Sequence, residues 1–239
     1  MIENAKPILF STEMVKAILE GRKTQTRRTI NPKYRSDESG YQVLIQNNTQ
    51  CVETISHEGM GTGRYVNPRY QPGNILWVRE TWRYWYDHTV LADCIQFKDG
   101  TMFKPQFGND HKSCNEGFHF SSMCDEAYEH PEKIKWRPSI FMPRYASRIT
   151  LRVTNVRCER LQDITEEDAI AEGMLCCDDW QSKEYTKACA EAKASNKRPP
   201  LGLSPRQSFM ELWGKLNGKK CPWESNPYVW IYEFERIGK

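Results

Sequence analysis

The segment Gly21-Arg22-Lys23-Thr24-Gln25-Thr26-Arg27-Arg28 places four cations and two threonines within eight residues. Guanidinium groups fork onto phosphate oxygens, and backbone amides near a helix terminus assist in binding anions. A lysine crowded by Arg22, Arg27 and Arg28 has its pKa lowered by like charge, which favours the neutral base. A neutral Lys23 beside the Thr26 hydroxyl has the makings of an activated nucleophile. The plainer alternative is a solvated basic edge. Glu172 belongs to the same argument. It falls in the last turn of a short helix, where the macrodipole disfavours negative charge by roughly 0.3–1 kcal/mol unless a cation is near. A carboxylate simply exposed to solvent is the plain alternative there.

A second constellation is aromatic. Trp77, Trp82, Tyr84, Trp85 and Tyr86 interleave with Arg79 and Arg83. Strand alternation sends Trp77 and Arg79 to one face and Leu76 and Val78 to the other. Aromatic planes beside arginines stack unpaired bases, so Trp77, Arg79 and Trp82 join Arg22, Lys23, Arg27 and Arg28 as candidate nucleic-acid contacts. Packing of these tryptophans against a core is the competing reading. For Tyr228, Trp230, Tyr232, Phe234 and Trp213 the core reading comes first.

The elements that must position these groups can be read from capping and periodicity. Residues 11–20 form a short amphipathic helix capped by Ser11, with Met14, Val15, Ile18 and Leu19 as its apolar stripe. Gly21 ends it in a left-handed cap, and an extended segment leaves from there. Residues 31–71 are polar, rich in turn formers and read as an insertion with at most a hairpin. Pro72-Gly73 launches a strand over 74–80. Residues 84–147 read as a second, irregular insertion. Ile149, Leu151 and Val153 alternate inward before Val156 and Cys158 continue out of phase, which places a bulge at Asn155. Thr165-Glu166-Glu167-Asp168 is a capping-box pattern opening a helix that stops at Gly173. A helical linker occupies about 176–203, with a charged helix near 181–194. Ser204-Pro205 begins a helix carrying Phe209, Leu212, Trp213 and Leu216 on one face. The chain closes with a strand from Tyr228 to Glu235. The order predicts an α+β fold around a small, mostly antiparallel sheet or barrel, as one domain with two insertions.

Composition narrows the function classes. The chain has 239 residues, 34 Lys+Arg against 31 Asp+Glu, and a formal charge of +3. That balance argues against generic duplex binding and for a local pocket or a short single strand. With 8 Trp, 11 Tyr and 9 Phe the chain is far too aromatic to be disordered. The amino terminus carries no apolar signal segment, and no apolar run approaches a membrane span. Nine cysteines, an odd number without framework spacing, predict reduced thiols in a cytoplasm. His111, Cys114, His119 and Cys124 have zinc-binding side chains but follow no standard zinc spacing. Free thiols in a loop are the expectation, with no metal and no cofactor. Metalloprotease, phosphate-loop, nucleophile-elbow and dinucleotide signatures are absent.

Gly21 to Arg28, Pro72-Gly73-Asn74-Ile75-Leu76-Trp77-Val78, and the long strand running into Leu161-Gln162-Asp163-Ile164-Thr165-Glu166-Glu167 together resemble the ASCH domain of the PUA-like superfamily. The similarity covers about half of the chain and is closest to longer members found in bacterial and phage genomes. It implies a PUA-like β-barrel with flanking helices and a cleft for RNA or a nucleobase. Some small members are amidohydrolases of N4-acetylcytidine that use a Lys, a Thr and a Glu. The resemblance sets these on Lys23, Thr26 and Glu172: Thr26 attacks the acyl carbonyl, Lys23 takes its proton, and Glu172 moves protons or orients Lys23. This chain is more than twice as long as those enzymes and more cationic after the motif, which tilts the site towards a polyanion. Three functions follow as expectations: binding of RNA, single-stranded nucleic acid or a modified nucleoside; amide hydrolysis of an acylated cytosine nucleoside; or a phage-type factor that binds a protein partner through the insertions.

Overall fold

A computed structural model of the chain describes residues 4–30, 38–46, 49–56, 58–87, 92–104, 133–174 and 204–238. It is mixed α+β with mostly antiparallel sheets. Among the described residues no sheet closes into the expected barrel. The expected helix near 181–194 lies outside the described residues. Among those described, no helix is long and apolar enough to cross a membrane.

The chain divides into two compact units, and the first contains residues 1–19, 74–152 and 235–239. Here β1 (Lys6–Leu9) runs parallel to β6 (Ile75–Arg79), with Pro7 opposite Trp77. The first residues of β10 (Thr150–Arg160) pair antiparallel with β6. Helix α1 (Thr12–Leu19) buries Val15, Ala17 and Ile18, and the Met14 amide donates to the Ser11 hydroxyl. The region read as irregular instead forms an antiparallel sheet of β7 (Trp82–Asp87), β8 (Ala92–Phe97) and β9 (Met102–Phe103). Trp82, Tyr84, Ile95 and Phe97 point inward onto Met142 and Ala146. Of residues 82–85 on β7 only Trp82 and Tyr84 are buried, so a run of aromatics and arginines without an aliphatic stripe concealed a half-buried strand.

The second unit contains residues 20–73 and 153–234. The insertion at 31–71 holds more than a hairpin: β3 (Glu38–Gln46), β4 (Thr49–Ser56) and β5 (Gly61–Val66) make an antiparallel meander. Gly61 misleads because it belongs to strand packing. A Cβ on Gly61 would fall 2.6 Å from the buried Glu53 carboxylate, which also accepts the Gly63 amide at 2.8 Å. Strand β2 (Gln25–Thr29) pairs antiparallel with β11 (Tyr228–Ile237), whose other neighbour is β10. Burial along β10 changes phase where the bulge was expected, with Thr154 and Asn155 both exposed. Helices α2 (Glu166–Ala171) and α3 (Pro205–Asn217) pack Ala169, Phe209 and Trp213 on Leu161, Ile164, Val229 and Ile231. Thr165 caps α2 by accepting the Asp168 amide, and Ser204 and Gln207 form a complete capping box on α3. Leu216, expected on the buried face of α3, is 54% exposed. It lies one turn beyond Trp213, the last buried residue of the helix.

Candidate functional site

The candidate site lies where the edge of β2 meets the end of α2. Gly21 adopts φ +77°, the left-handed cap that its position after α1 predicted. The chain then extends. Lys23 forms an isolated antiparallel bridge with Glu172, the Thr24 amide donates to Ala171 O at 2.8 Å, and Thr24 O accepts the Phe234 amide at 2.8 Å. The outer edge of β2 is thus met by the last residues of a helix, where a barrel would supply a strand.

Lys23 and Glu172 are 2% and 3% exposed. Lys23 Nζ donates to Glu172 Oε2 at 2.7 Å and to the Glu172 carbonyl at 2.9 Å. Glu172 is the C-cap of α2, and the cations required to offset the helix dipole there are present. Arg27 bridges two carboxylates, with Nη1 at 3.3 Å from Glu172 Oε1 and Nη2 at 2.8 Å from Asp168 Oδ2. Gln25 Nε2 donates to the Asp168 carbonyl at 2.7 Å. Arg157 Nη2 reaches Asp168 Oδ1 at 2.8 Å, and Arg157 also pairs with Glu233. Burial pulls the Lys23 ammonium below its ordinary value. Glu172 opposes that shift, while Arg28 and Arg27 reinforce it. Like-charge crowding, the cause expected from the motif, is therefore real but secondary to desolvation. The carboxylate of Asp168 is held below its ordinary range: burial acts to raise it, and Arg27, Gln25 and Arg157 together outweigh burial.

Thr26 is 1% exposed and lies between Gln25 and Arg27 on β2, so alternation turns it to the opposite face. Its cross-strand partner there is Tyr232, as Trp230 is for Arg28. Tyr70 packs edge-on against Tyr232 with ring centroids 5.1 Å apart, and the Arg69 amide donates to the Tyr232 hydroxyl. Desolvation lowers the half-buried Arg28 guanidinium from its ordinary value, with Glu172 the chief opposing influence. One carboxylate therefore attracts Lys23, Arg27 and Arg28.

The remaining candidates are placed as follows. Arg22 turns away from Lys23, pairing with Glu20 and donating to the Gly173 carbonyl at 2.7 Å. In the first unit, Arg79 lies over the Trp77 ring at 4.6 Å, as alternation on β6 predicted, and donates to the Ile140 carbonyl. Trp82 is 1% exposed and packs edge-on against Tyr84, so it is a core residue. Sequence reasoning missed Asp168, Gln25, Arg157, Tyr70 and Tyr232. A usable signal existed for Asp168, which sits four residues before Glu172 and so lies one helical turn from it.

Among the described residues no group of three or more His, Cys, Asp or Glu is arranged to hold a metal. His111, Cys114, His119 and Cys124 lie outside those residues. Comparison of the chain with protein-family models, with curated proteins and with solved structures finds no match.

Proposed function

We propose that the chain is an ASCH-type binding protein for RNA, single-stranded nucleic acid or a modified nucleoside, a relative of the PUA-like barrels. Its site is centred on Arg28, half-buried beside the buried Lys23–Glu172 pair. The observation that carries this reading is the convergence of three cations on Glu172 at the edge of β2. Placing an ion pair in the interior costs several kcal/mol per ion before any Coulombic gain. Of the three cations only Arg28 is not fully buried, and a guanidinium favours a ligand rich in acceptors, such as a base edge or a phosphate. On the Thr26 face Tyr70 and Tyr232 are buried and packed on each other, so they support the site from within the core. Arg27 acts within the protein, tying β2 to both carboxylates of α2.

The test is equilibrium binding of cytidine, N4-acetylcytidine and a short oligouridine between about 50 and 200 mM salt. Oligouridine affinity should fall with salt, and Arg28→Gln should weaken binding and flatten the salt slope by about one charge. Absence of binding to all three ligands would refute the reading.

Amide hydrolysis is the second reading, favoured by one observation, the lowered pKa of Lys23. In that chemistry the Thr26 oxygen bonds to the acyl carbon and its proton passes to Lys23. The C–N bond then breaks to release the protonated cytosine amine, and water hydrolyses the acyl-threonine. It ranks second because Thr26 faces away from Gln25 and Arg27. Release of cytidine from N4-acetylcytidine, abolished by Lys23→Ala and Thr26→Ala, would establish it, and a wild-type protein without turnover would end it.

A further inference from the structure

The outer face of the β7–β8–β9 sheet carries an aromatic and cationic cluster that the site at Lys23 does not use. Alternation along β7 buries Trp82 and Tyr84 and turns Arg83 and Trp85 outward. Gln96 lies opposite Arg83 on β8 and accepts from its Nε at 2.7 Å. Lys98 follows on the same side and is exposed. A third indole comes from outside the sheet. Arg137 is bridged to Trp82 by both backbone hydrogen bonds, and its guanidinium lies over Trp82 and Tyr84 on the inner side. Its neighbour Trp136 is thereby turned to the outer side.

There the Arg83 guanidinium stands 4.6 Å from the Trp85 ring and 4.5 Å from the Trp136 ring, and Lys98 Nζ stands 5.0 Å from Trp136. Both indoles are only half-buried. Among the described residues neither Arg83 nor Lys98 is paired with a carboxylate. Partial burial pulls the Arg83 guanidinium below its ordinary value. The face therefore combines two aromatic planes with a guanidinium close to both and an exposed ammonium close to one. Flat π-surfaces interleaved with unpaired cations match the alternation of bases and phosphates along a single strand.

We propose that Arg83, Trp85, Lys98 and Trp136 form a stacking platform for single-stranded nucleic acid, with bases on the indoles and phosphates on Arg83 and Lys98. This rests on the nucleic-acid reading given above but on different residues, and it moves the aromatic contacts from Trp77 and Trp82 to Trp85 and Trp136. The experiment titrates the full chain with oligouridine and oligothymidine of about twelve nucleotides, within the usual site size of such platforms, reading tryptophan quenching and anisotropy of a labelled strand. Trp136→Ala and Trp85→Ala are each expected to weaken binding about fivefold to a hundredfold. Lys98→Glu, at an exposed position, should weaken it and reduce the salt slope by at least about one charge. Tighter binding of oligouridine would identify RNA as the natural strand, and equal affinities would make the platform a general single-strand binder; either supports the proposal. Wild-type affinity in both Lys98→Glu and Trp136→Ala would overturn it. So would failure of the wild type to bind either strand, or quenching by polyglutamate alone, which would make the face a site for acidic peptide. Nucleoside binding without strand binding would sink the platform alone. Strand binding unaffected by Arg28→Gln would sink the Lys23 site as its contact and leave the platform standing.

Discussion

Replacing Glu172 by Gln isolates the energetics of the buried pair. The substitution keeps the shape of the side chain and removes the charge facing Lys23 Nζ at 2.7 Å and Arg27 Nη1 at 3.3 Å. Breaking a buried ion pair by deleting one partner costs about 3–5 kcal/mol, because the other charge is left uncompensated. Two bonds moderate that cost. Lys23 keeps the main-chain carbonyl of residue 172 at 2.9 Å, and Arg27 keeps Asp168 at 2.8 Å. The expected loss is therefore at the lower end, about 3 kcal/mol. In a chain of this size that lowers the melting temperature by about 6–12 °C. Urea unfolding of wild type, Glu172→Gln, Lys23→Met and the double variant Lys23→Met/Glu172→Leu measures it. The double variant, with neither charge buried, should recover most of the loss. The same set carries a pH signature. Because folding lowers the pKa of Lys23 from 10.5, the unfolded chain binds more protons between the folded value and 10.5. Wild-type stability should therefore rise relative to Lys23→Met as pH climbs through that window. A Glu172→Gln loss below about 1 kcal/mol, the range of an exposed salt bridge, would refute the reasoning.

Three further outcomes are expected. Gly61→Ala should cost about 1–3 kcal/mol in urea unfolding, because its methyl group must displace a Glu53 carboxylate already bonded to Gln42 and the Gly63 amide. Among the described cysteines, native-state labelling with iodoacetamide near pH 8 should spare Cys158, whose thiol burial pushes up to about 12, and reach the half-buried Cys221 first. Glu80 has its pKa raised by burial despite Arg148, so the folded state binds the extra proton. Wild-type stability should accordingly fall relative to Glu80→Gln as pH rises from 4.5 through the folded value, and a flat difference would argue against burial as the dominant cause.

Much of the scaffold was legible before the structure. The caps at Ser11, Thr165 and Ser204, the left-handed Gly21 and the alternation of Trp77 with Arg79 all follow from local rules about backbone donors and strand period. The change of phase near Asn155 was legible for the same reason. The two three-stranded sheets were not. Trp82 to Trp85 of β7 bury alternate residues without an aliphatic stripe, and Gly61 reads as a turn former although the nearby Glu53 carboxylate is what excludes a side chain there. A glycine demanded by a distant group looks no different in sequence from one demanded by a turn.

The candidate site divides along the same line. The sequence by itself determined that Lys23 would feel Arg27 and Arg28, and that Glu172 at a helix end would want a cation. Only the tertiary structure decided which cation. It brought together residues 149 positions apart, buried the pair and recruited Arg27 through Asp168. It also chose among the tryptophans. Local alternation divides β7 into two faces, but packing against Met142 and Ala146 decides that Trp82 lies inside and Trp85 outside. Spacing fixes which residues share a face, and burial against distant elements fixes which face is used.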